Sequence, residues 1–425
     1  MKKIKVLMIG WEFPPIINGG LGVACYGLSK ALSNKVDLTI ILPKTDISFS
    51  LNNINFIGLN NIDLNNIDID NQNYKYEEFA NTIEIAAKEF SPYPNAIDKL
   101  KNEVLGNNIS EATDSNNLFS GNDLYGDNVM LRVYKFADYV AKIASSLEFD
   151  IIHCHDWMSF PAGIKIKKQS QKPLLIHIHS LEFDRSGIGS KNWVYEIEKE
   201  AIANADLIVP VSNYTGNIAI QNYEAQISKI YPVHNGTEFT AAFHQRKEFP
   251  EKLVLFLGRV TGQKGPQYFL EIASLVLKHY QNVRFVVAGT GDQLRDMIEN
   301  GAYKNIGTKF HFTGFLTKDK VNQLLSMADV YCMPSVSEPF GLSALEAAQF
   351  GIPCVISKQS GVSEVLYGAL KADYWDVEKM ASHVISLLTN NALREALVKD
   401  AYQDLKSCSW EKASEKIVEI YHKAI

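Results

Sequence analysis

Short unbroken runs of Val, Ile and Leu, each the length of one strand and each followed by a helical pattern, constrain this chain most. They fall at 4–9, 36–42, 54–59, 150–154, 174–177, 207–211 and 229–233 in the first half. In the second half they fall at 253–257, 284–288, 309–313, 329–333 and 353–356. A strand wetted on one face alternates apolar with polar residues, whereas one covered on both faces reads as a continuous apolar run. Such runs alternating with helices predict an α/β protein with parallel sheets. With 425 residues the chain can bury two separate cores. The prediction is two doubly wound, Rossmann-like parallel-sheet domains. The polar, irregular stretch 236–250, closing on Pro250, is the predicted linker between domains at 1–240 and 251–408. After it the tail carries Trp410, Ala413, Ile417, Ile420 and Tyr421 at helical spacing, an apolar face that must dock on a partner surface.

Composition excludes several classes. The formal net charge is −6 and no basic stripe runs through the chain, which argues against nucleic acid and against an anionic membrane surface. No stretch is long and apolar enough to span a bilayer. The opening apolar run is interrupted by Lys5 and ended by Glu12, so it reads as a first strand and not as a signal peptide. Five scattered cysteines, without metal-type spacing, fit reduced thiols in a cytoplasm. Two Asn/Asp-rich segments, 60–73 and 106–128, read as solvated surface and a mobile loop. The first contains an Asp68/Asp70 pair that resembles a carboxylate metal motif.

The chemistry concentrates in Ser335-Val336-Ser337-Glu338-Pro339-Phe340-Gly341-Leu342, which follows the run at 329–333 and precedes an Ala/Leu-rich helix closed near Gly351. Pro339 and Gly341 predict an irregular loop, with Glu338 at the strand's carboxyl end. The helix that follows opens with unpaired N–H groups, a ready anion site. Glu346 lies in its second turn, where a solvated acid and a ligand-binding acid are equally compatible with the pattern. Gly258-Arg259, followed by Lys264-Gly265-Pro266, sits after another strand. Two cations on a glycine-flexible loop suit a diphosphate, although two solvated surface cations would read the same way. Pro266 is predicted at the first helical position. Gly289-Thr290-Gly291 ends the next strand, and Gly19-Gly20-Leu21-Gly22 follows the first, where a plain tight turn is as good a reading. His153 and His155 share one side of a strand, as do His177 and His179. Four histidines could hold a metal, but packed or cleft histidines are the simpler reading. Residues 182–187 read as a polar, loop-like rim.

Taken together these strings resemble retaining glycosyltransferases of the GT-B fold, in the group that includes glycogen and starch synthases and sucrose-phosphate synthases. The match runs through Gly19-Gly20-Leu21, His155-Asp156-Trp157, His179, Val211-Ser212, Asn235-Gly236, Gly258-Arg259, Lys264-Gly265, Glu338 to Leu342, and Glu346. The resemblance implies two domains facing a cleft, with the helix at 410–425 returning to the first. It implies transfer of a hexose, glucose foremost, from UDP- or ADP-glucose to a carbohydrate such as an oligo- or polyglucan, without metal or other cofactor. Arg259 and Lys264 would hold the donor diphosphate. Gly19, Gly20 and Gly289 would border the donor, and Glu338 with Phe340, Gly341 and Leu342 its sugar. Glu346 would take the ribose, His179 the sugar's reacting face and Asp156 the acceptor side. Bacterial glycogen synthases carry Lys where this chain has Asn18, a departure from that subgroup. A glycoside phosphorylase on the same fold, or a non-catalytic glycan- or nucleotide-binding protein, are the alternatives. Only an enzyme that binds a ribose gives Glu346 a role.

Overall fold

A computed structural model describes residues 3–17, 19–46, 48–64, 67, 119, 124–125, 129–187, 189–238 and 249–425. Asn18, the Asp68/Asp70 pair, most of 106–128 and residues 239–248 of the expected linker lie outside them. The chain divides into two compact units. Unit 1 comprises Met1–Val211, Thr215–Gly236 and Trp410–Ile425, and unit 2 comprises Ser212–Tyr214 and Thr237–Ser409. The division falls between Gly236 and Thr237, and it gives Ser212–Tyr214 to unit 2, which no run or linker in the sequence foretold.

Unit 1 is built on six strands: β1 (Lys5–Ile9), β2 (Asp37–Leu42), β3 (Ile54–Gly58), β4 (Ile151–His155), β5 (Leu174–Ile178) and β6 (Leu207–Pro210). They pair in parallel in the order β3-β2-β1-β4-β5-β6. Every residue of β4 and β5 is buried, as continuous apolar runs require. The run at 229–233 does not become a seventh strand. It forms a short 3₁₀ turn at Ile227–Lys229 and one isolated bridge from Ile230 to Ile208. Tyr231 N and Val233 N donate to Ile208 O and Pro210 O at 2.8 and 3.0 Å, but Pro210 has no N–H to return a bond, so the pairing stops at one bridge. Among the described residues the helices are α1 (Gly20–Leu32), α2 (Val129–Ala144), α3 (Phe160–Ser170), α4 (Glu182–Ser186), α5 (Trp193–Asn204) and α6 (Asn213–Tyr223).

In unit 2 the strands are β7 (Lys252–Leu257), β8 (Val283–Ala288), β9 (Phe310–Gly314), β10 (Val330–Met333), β11 (Cys354–Ser357) and β12 (Ala369–Ala372). Their order is β12-β11-β10-β7-β8-β9. β12 was not expected: Ala-Leu-Lys-Ala is short, carries a lysine and sits at the sheet edge. Around this sheet lie α7 (Pro266–His279), α8 (Leu294–Tyr303), α9 (Lys318–Met327), α10 (Leu342–Gln349), α11 (Val377–Thr389) and α12 (Asn391–Ser407). Pro266 does occupy the start of α7. A core of Phe256, Phe269, Phe285, Val330, Val355 and their neighbours is almost dry.

The last helix, α13 (Trp410–Ala424), belongs to unit 1. Its Trp410, Ala413, Ile417, Ile420 and Tyr421 join Ala24, Leu28, Val6 and Met8 in one core. Trp410 lies so close over α1 that a Cβ on Gly27 would stand 2.3 Å from its indole. Only glycine leaves room for that contact. Among the described residues no helix is long and apolar enough to cross a membrane.

Both sheets place their first and fourth strands side by side at the centre. The direction of winding reverses there, and loops leaving the carboxyl ends of those two strands diverge to leave a crevice. In unit 1 these loops follow Ile9 and His155, and in unit 2 they follow Leu257 and Met333.

Candidate functional site

In unit 2 the reversal brings together residues far apart in sequence. After β7 the chain makes a 3₁₀ turn, Gly262–Lys264, and passes through left-handed Gly265 into α7. After β10 it runs through Ser335 to Gly341. The two loops are sewn together where Val336 N donates to Gln263 O at 2.9 Å. Across that seam Lys264 Nζ forms an ion pair with Glu338 Oε2. Glu338 is buried, accepts a bond from Ser335 Oγ at 3.3 Å, and has its backbone strapped to Gln359 and Gly361 at 2.9 Å each. The carboxylate is therefore held in one place.

Gly341 has φ +108°, a conformation glycine tolerates and other residues resist. It turns the chain directly into α10, whose first N–H groups receive no side-chain cap. Phe340 is buried at 3 % exposure, so it offers its backbone and not its ring, and Leu342 is half-buried. Glu346, on α10, pairs with Lys318 at the start of α9. Sequence reasoning missed Lys318, which carries no motif. Arg259 is exposed and makes no ion pair among the described residues. Gly289 lies beneath the Arg259 loop: a Cβ there would come within 1.9 Å of Gly258 O. Val260 N donates to Thr290 O at 2.9 Å, so Gly289 lets the Arg259 loop lie flat on the end of β8.

In unit 1, Gly19 is exposed and extended ahead of α1, which begins at Gly20 without a side-chain cap. Asp156 follows β4 in a left-handed conformation (φ 60°) and is buried. Its Oδ1 accepts the backbone N–H of His179 at 2.7 Å and of Ser180 at 3.3 Å. Asp156 and His179 thus meet, with the carboxylate spending one oxygen on backbone. Burial pushes Asp156 up to about 7, against the pull of Arg185 and those two amides, while Glu12 pushes it further up. Buried Glu12, in the loop after β1, accepts from Tyr125 Oη, another partner no motif announced.

The histidines form a stack. His153 and His155 rings lie 4.3 Å apart and His177 and His179 rings 4.5 Å. His153 Nδ1 bonds Tyr421 Oη at 2.6 Å and its Nε2 bonds His177 Nδ1 at 3.2 Å; His155 Nδ1 bonds His179 Nε2 at 2.9 Å. Burial holds all of them neutral: His153, His155 and His177 far below the usual range and His179 down to about 3. Ring nitrogens of His153, His155 and His177 cluster within 4.8 Å, and Cys25, His155 and His179 form a second such group. The rings, however, spend nitrogens on one another. Among the described residues, Nε2 of His155 and of His177 are buried without a partner.

Residues 182–187 are not the expected loop: Glu182–Ser186 form a short helix. Glu182 and Asp184 are buried in the short helix α4, with Arg185 locked between Glu182 and Glu198. Polarity alone suggested a loop, but here every charge has a partner inside the unit.

Residues 5–225, more than half of the chain, match the starch synthase catalytic domain family, and residues 239–404 match glycosyl transferases group 1. An uncharacterized glycosyltransferase of Methanocaldococcus jannaschii is 25 % identical over 441 residues, spanning 98 % of each protein. The glycogen synthase of Mycobacterium tuberculosis is 23 % identical over 434 residues, covering 98 % of this chain and 94 % of that one. Among solved structures, the catalytic domain of starch synthase IV from Arabidopsis thaliana, bound to ADP and acarbose, superposes with a TM-score of 0.70 at 15 % identity. That superposition covers 100 % of this chain and 99 % of the other. The chain belongs to the starch synthase catalytic domain family, a glycosyltransferase of the glycogen and starch synthase type on a GT-B fold.

Proposed function

We propose that this protein transfers glucose from UDP- or ADP-glucose to an oligo- or polyglucan, with retention at the anomeric carbon. The observation that carries the reading is the Lys264–Glu338 pair at the strand reversal of unit 2. A cation for the diphosphate and a fixed carboxylate for sugar hydroxyls stand side by side, next to the uncapped start of α10. In the reaction the bond between C1 and the diphosphate oxygen breaks and the nucleoside diphosphate leaves with the electron pair. An acceptor hydroxyl forms the new bond to C1, and its proton passes to the departing phosphate. Charge builds on the leaving group, so Lys264 and Arg259 act where preorganised cations contribute most. Glu346 takes the ribose hydroxyls, sharing them with its partner Lys318. Gly289 supports the Arg259 loop, Gly19 and Gly20 border the donor, and His179 serves the reacting face of the sugar.

The reading asks for no metal, because protein cations neutralise the diphosphate. The M. tuberculosis relative is a glycogen synthase and the Arabidopsis domain was solved with ADP and acarbose, which supports a nucleotide donor and a glucan acceptor. Five free, buried cysteines suit a cytoplasmic site of action. The test is a panel of UDP-, ADP- and GDP-sugars scored for nucleotide release with and without maltooligosaccharides, with the new linkage assigned by proton NMR. Acceptor-dependent release from a glucose donor with an α-linked product is expected. Release of glucose 1-phosphate from glucan and inorganic phosphate, with no use of any sugar nucleotide, would replace this reading by a phosphorylase.

A further inference from the structure

The chain leaving β5 is held in an unusual way. Five successive backbone N–H groups, 179 through 183, each donate to a side-chain oxygen. His179 N and Ser180 N go to Asp156 Oδ1, Leu181 N to Asp184 Oδ2 at 2.9 Å, Glu182 N to Glu198 Oε2 at 2.8 Å and Phe183 N to Tyr223 Oη at 3.2 Å. Arg185 bonds two residues of this segment and the other carboxylate oxygen of Glu198. Its Nε donates to Glu182 Oε2 at 2.9 Å, and its two terminal nitrogens donate to Glu198 Oε1 and to Ser180 Oγ. Glu182 is held again by Asn192 Nδ2 at 2.7 Å, and Tyr223 Oη donates to Glu198 Oε2 at 2.8 Å.

We propose that Arg185 is a positioning residue for His179, fixing the turn at 179–183 so that the His179 ring is presented in one orientation. The proposal rests on the transferase reading given above, in which His179 serves the sugar.

Three arguments favour positioning over bulk stability. The bonds converge on one five-residue segment and do not spread through the core. The guanidinium fork is required: three acceptors in different directions suit a planar set of donors and not a lysine point charge. The segment's first residue is also held at its ring by His155, so backbone and side chain of His179 are fixed from opposite sides. Burial of three carboxylates, Asp156, Glu182 and Glu198, around one cation supports the same centre, with Glu198 pushed up to about 8 by desolvation against the pull of Arg185. A misplacement of about 1 Å at a reacting group can cost on the order of 10²-fold in rate.

The test uses the full chain with Arg185→Met, Arg185→Lys and Ser180→Ala. Ser180→Ala removes one of the two direct links from the guanidinium to the turn, leaving the one to Glu182 and every charge in place. Hydrogen exchange read by mass spectrometry should show amides 179–183 exchanging about tenfold faster or more in Arg185→Met and Ser180→Ala, with β1 and α13 unchanged. Turnover should fall on the order of 10²-fold in Arg185→Met and about tenfold in Arg185→Lys. Affinity for the free nucleoside diphosphate should stay within about twofold, since Arg259, Lys264 and Glu346 all lie in unit 2. Wild-type exchange at 179–183 in both Ser180→Ala and Arg185→Lys overturns the proposal, even if Arg185→Met fails to fold. So does a turnover loss matched by lost nucleotide affinity. If the wild-type protein transfers no sugar, the function reading fails while the exchange measurement still decides whether Arg185 fixes the turn.

Discussion

The Asp156 carboxylate accepts the backbone N–H of His179 at 2.7 Å, joining the ends of two neighbouring strands in unit 1. A residue expected on the acceptor side thus has a second task, holding the chain that carries His179. Asparagine keeps an acceptor oxygen and tolerates the left-handed conformation at this position, whereas alanine loses both advantages. Asp156→Asn should retain most of the stability. Asp156→Ala should lose about 2–4 kcal/mol, the sum of a charge-assisted hydrogen bond and backbone strain. Urea midpoints of the two purified variants check this, and equal midpoints would refute the holding role.

Lys264 and Arg259 carry the prediction for the leaving group. Lys264→Ala and Arg259→Ala should each lower turnover by about 10²–10³, the loss typical of removing one preorganised charge donor. The two should differ in stability. Lys264→Ala strands the buried Glu338 carboxylate, while exposed Arg259 leaves nothing unpaired behind it. Steady-state rates and melting temperatures measured side by side separate the effects. Near wild-type turnover in either variant would remove it from the diphosphate site.

Glu346 is predicted to hold the ribose. Its bond to Lys318 is exposed on the lysine side, so breaking it should change stability by less than about 1 kcal/mol. Glu346→Ala should therefore melt near the wild type while weakening UDP or ADP and the corresponding sugar nucleotide in parallel. Calorimetric titration with the free nucleoside diphosphate is the check, and unchanged affinity would favour a phosphorylase instead.

Much of this was legible because its causes are local. Continuous apolar runs marked eleven of the twelve strands among the described residues, since strands covered on both faces have little choice of composition. The helix start at Pro266 and the irregular loop at Gly341 follow from backbone chemistry that the residues declare themselves. What escaped depends on pairing. β12 is strand only because β11 lies beside it, and 229–233 fails to be one because Pro210 of β6 has no N–H to return. Arg185 and Lys318 escaped for the same reason: an ion pair leaves no periodic trace when its members are 13 or 28 residues apart. The Lys264–Glu338 pair was foreseeable only as two loops at strand ends, and the strand order is what brings them together.

The tail supplies a packing test. At Gly27 any side chain would collide with Trp410. Gly27→Ala gains helix propensity in α1 but must push the indole and α13 outward, and overpacking of this kind costs about 1–3 kcal/mol. Trp410→Ala in the same chain relieves the clash, so the double variant should be more stable than the sum of the single losses predicts. A double-mutant cycle from urea melts measures that coupling, and additivity would mean the two residues do not touch.

The last prediction concerns acid. His153, His155, His177 and His179 are held neutral by burial, with folded values below the ordinary imidazole value of 6.5. Between that value and the folded one, an unfolded chain takes up a proton that the native chain refuses, so stability falls as pH drops below about 6.5. Asp156 and Glu198 act the other way: their folded values, about 7 and about 8, lie above those of the unfolded chain. Native protein keeps their protons where unfolded chain releases them, and their contribution is lost as pH rises toward those values. Four imidazoles against two carboxylates leave uptake dominant near pH 5, at about 1.4 kcal/mol per pH unit for each net proton. Acids held low by partners, such as Glu251 beside Arg284 and Asp373 beside Lys358, add to the same slope at still lower pH. Melting temperature should therefore fall steeply between about pH 6.5 and 5. Replacing His153 and His177 by Phe and Leu removes two of the four, and even if that pair melts lower at neutral pH its curve should be flatter. An equally steep slope in the double variant would show that the stack does not govern acid lability.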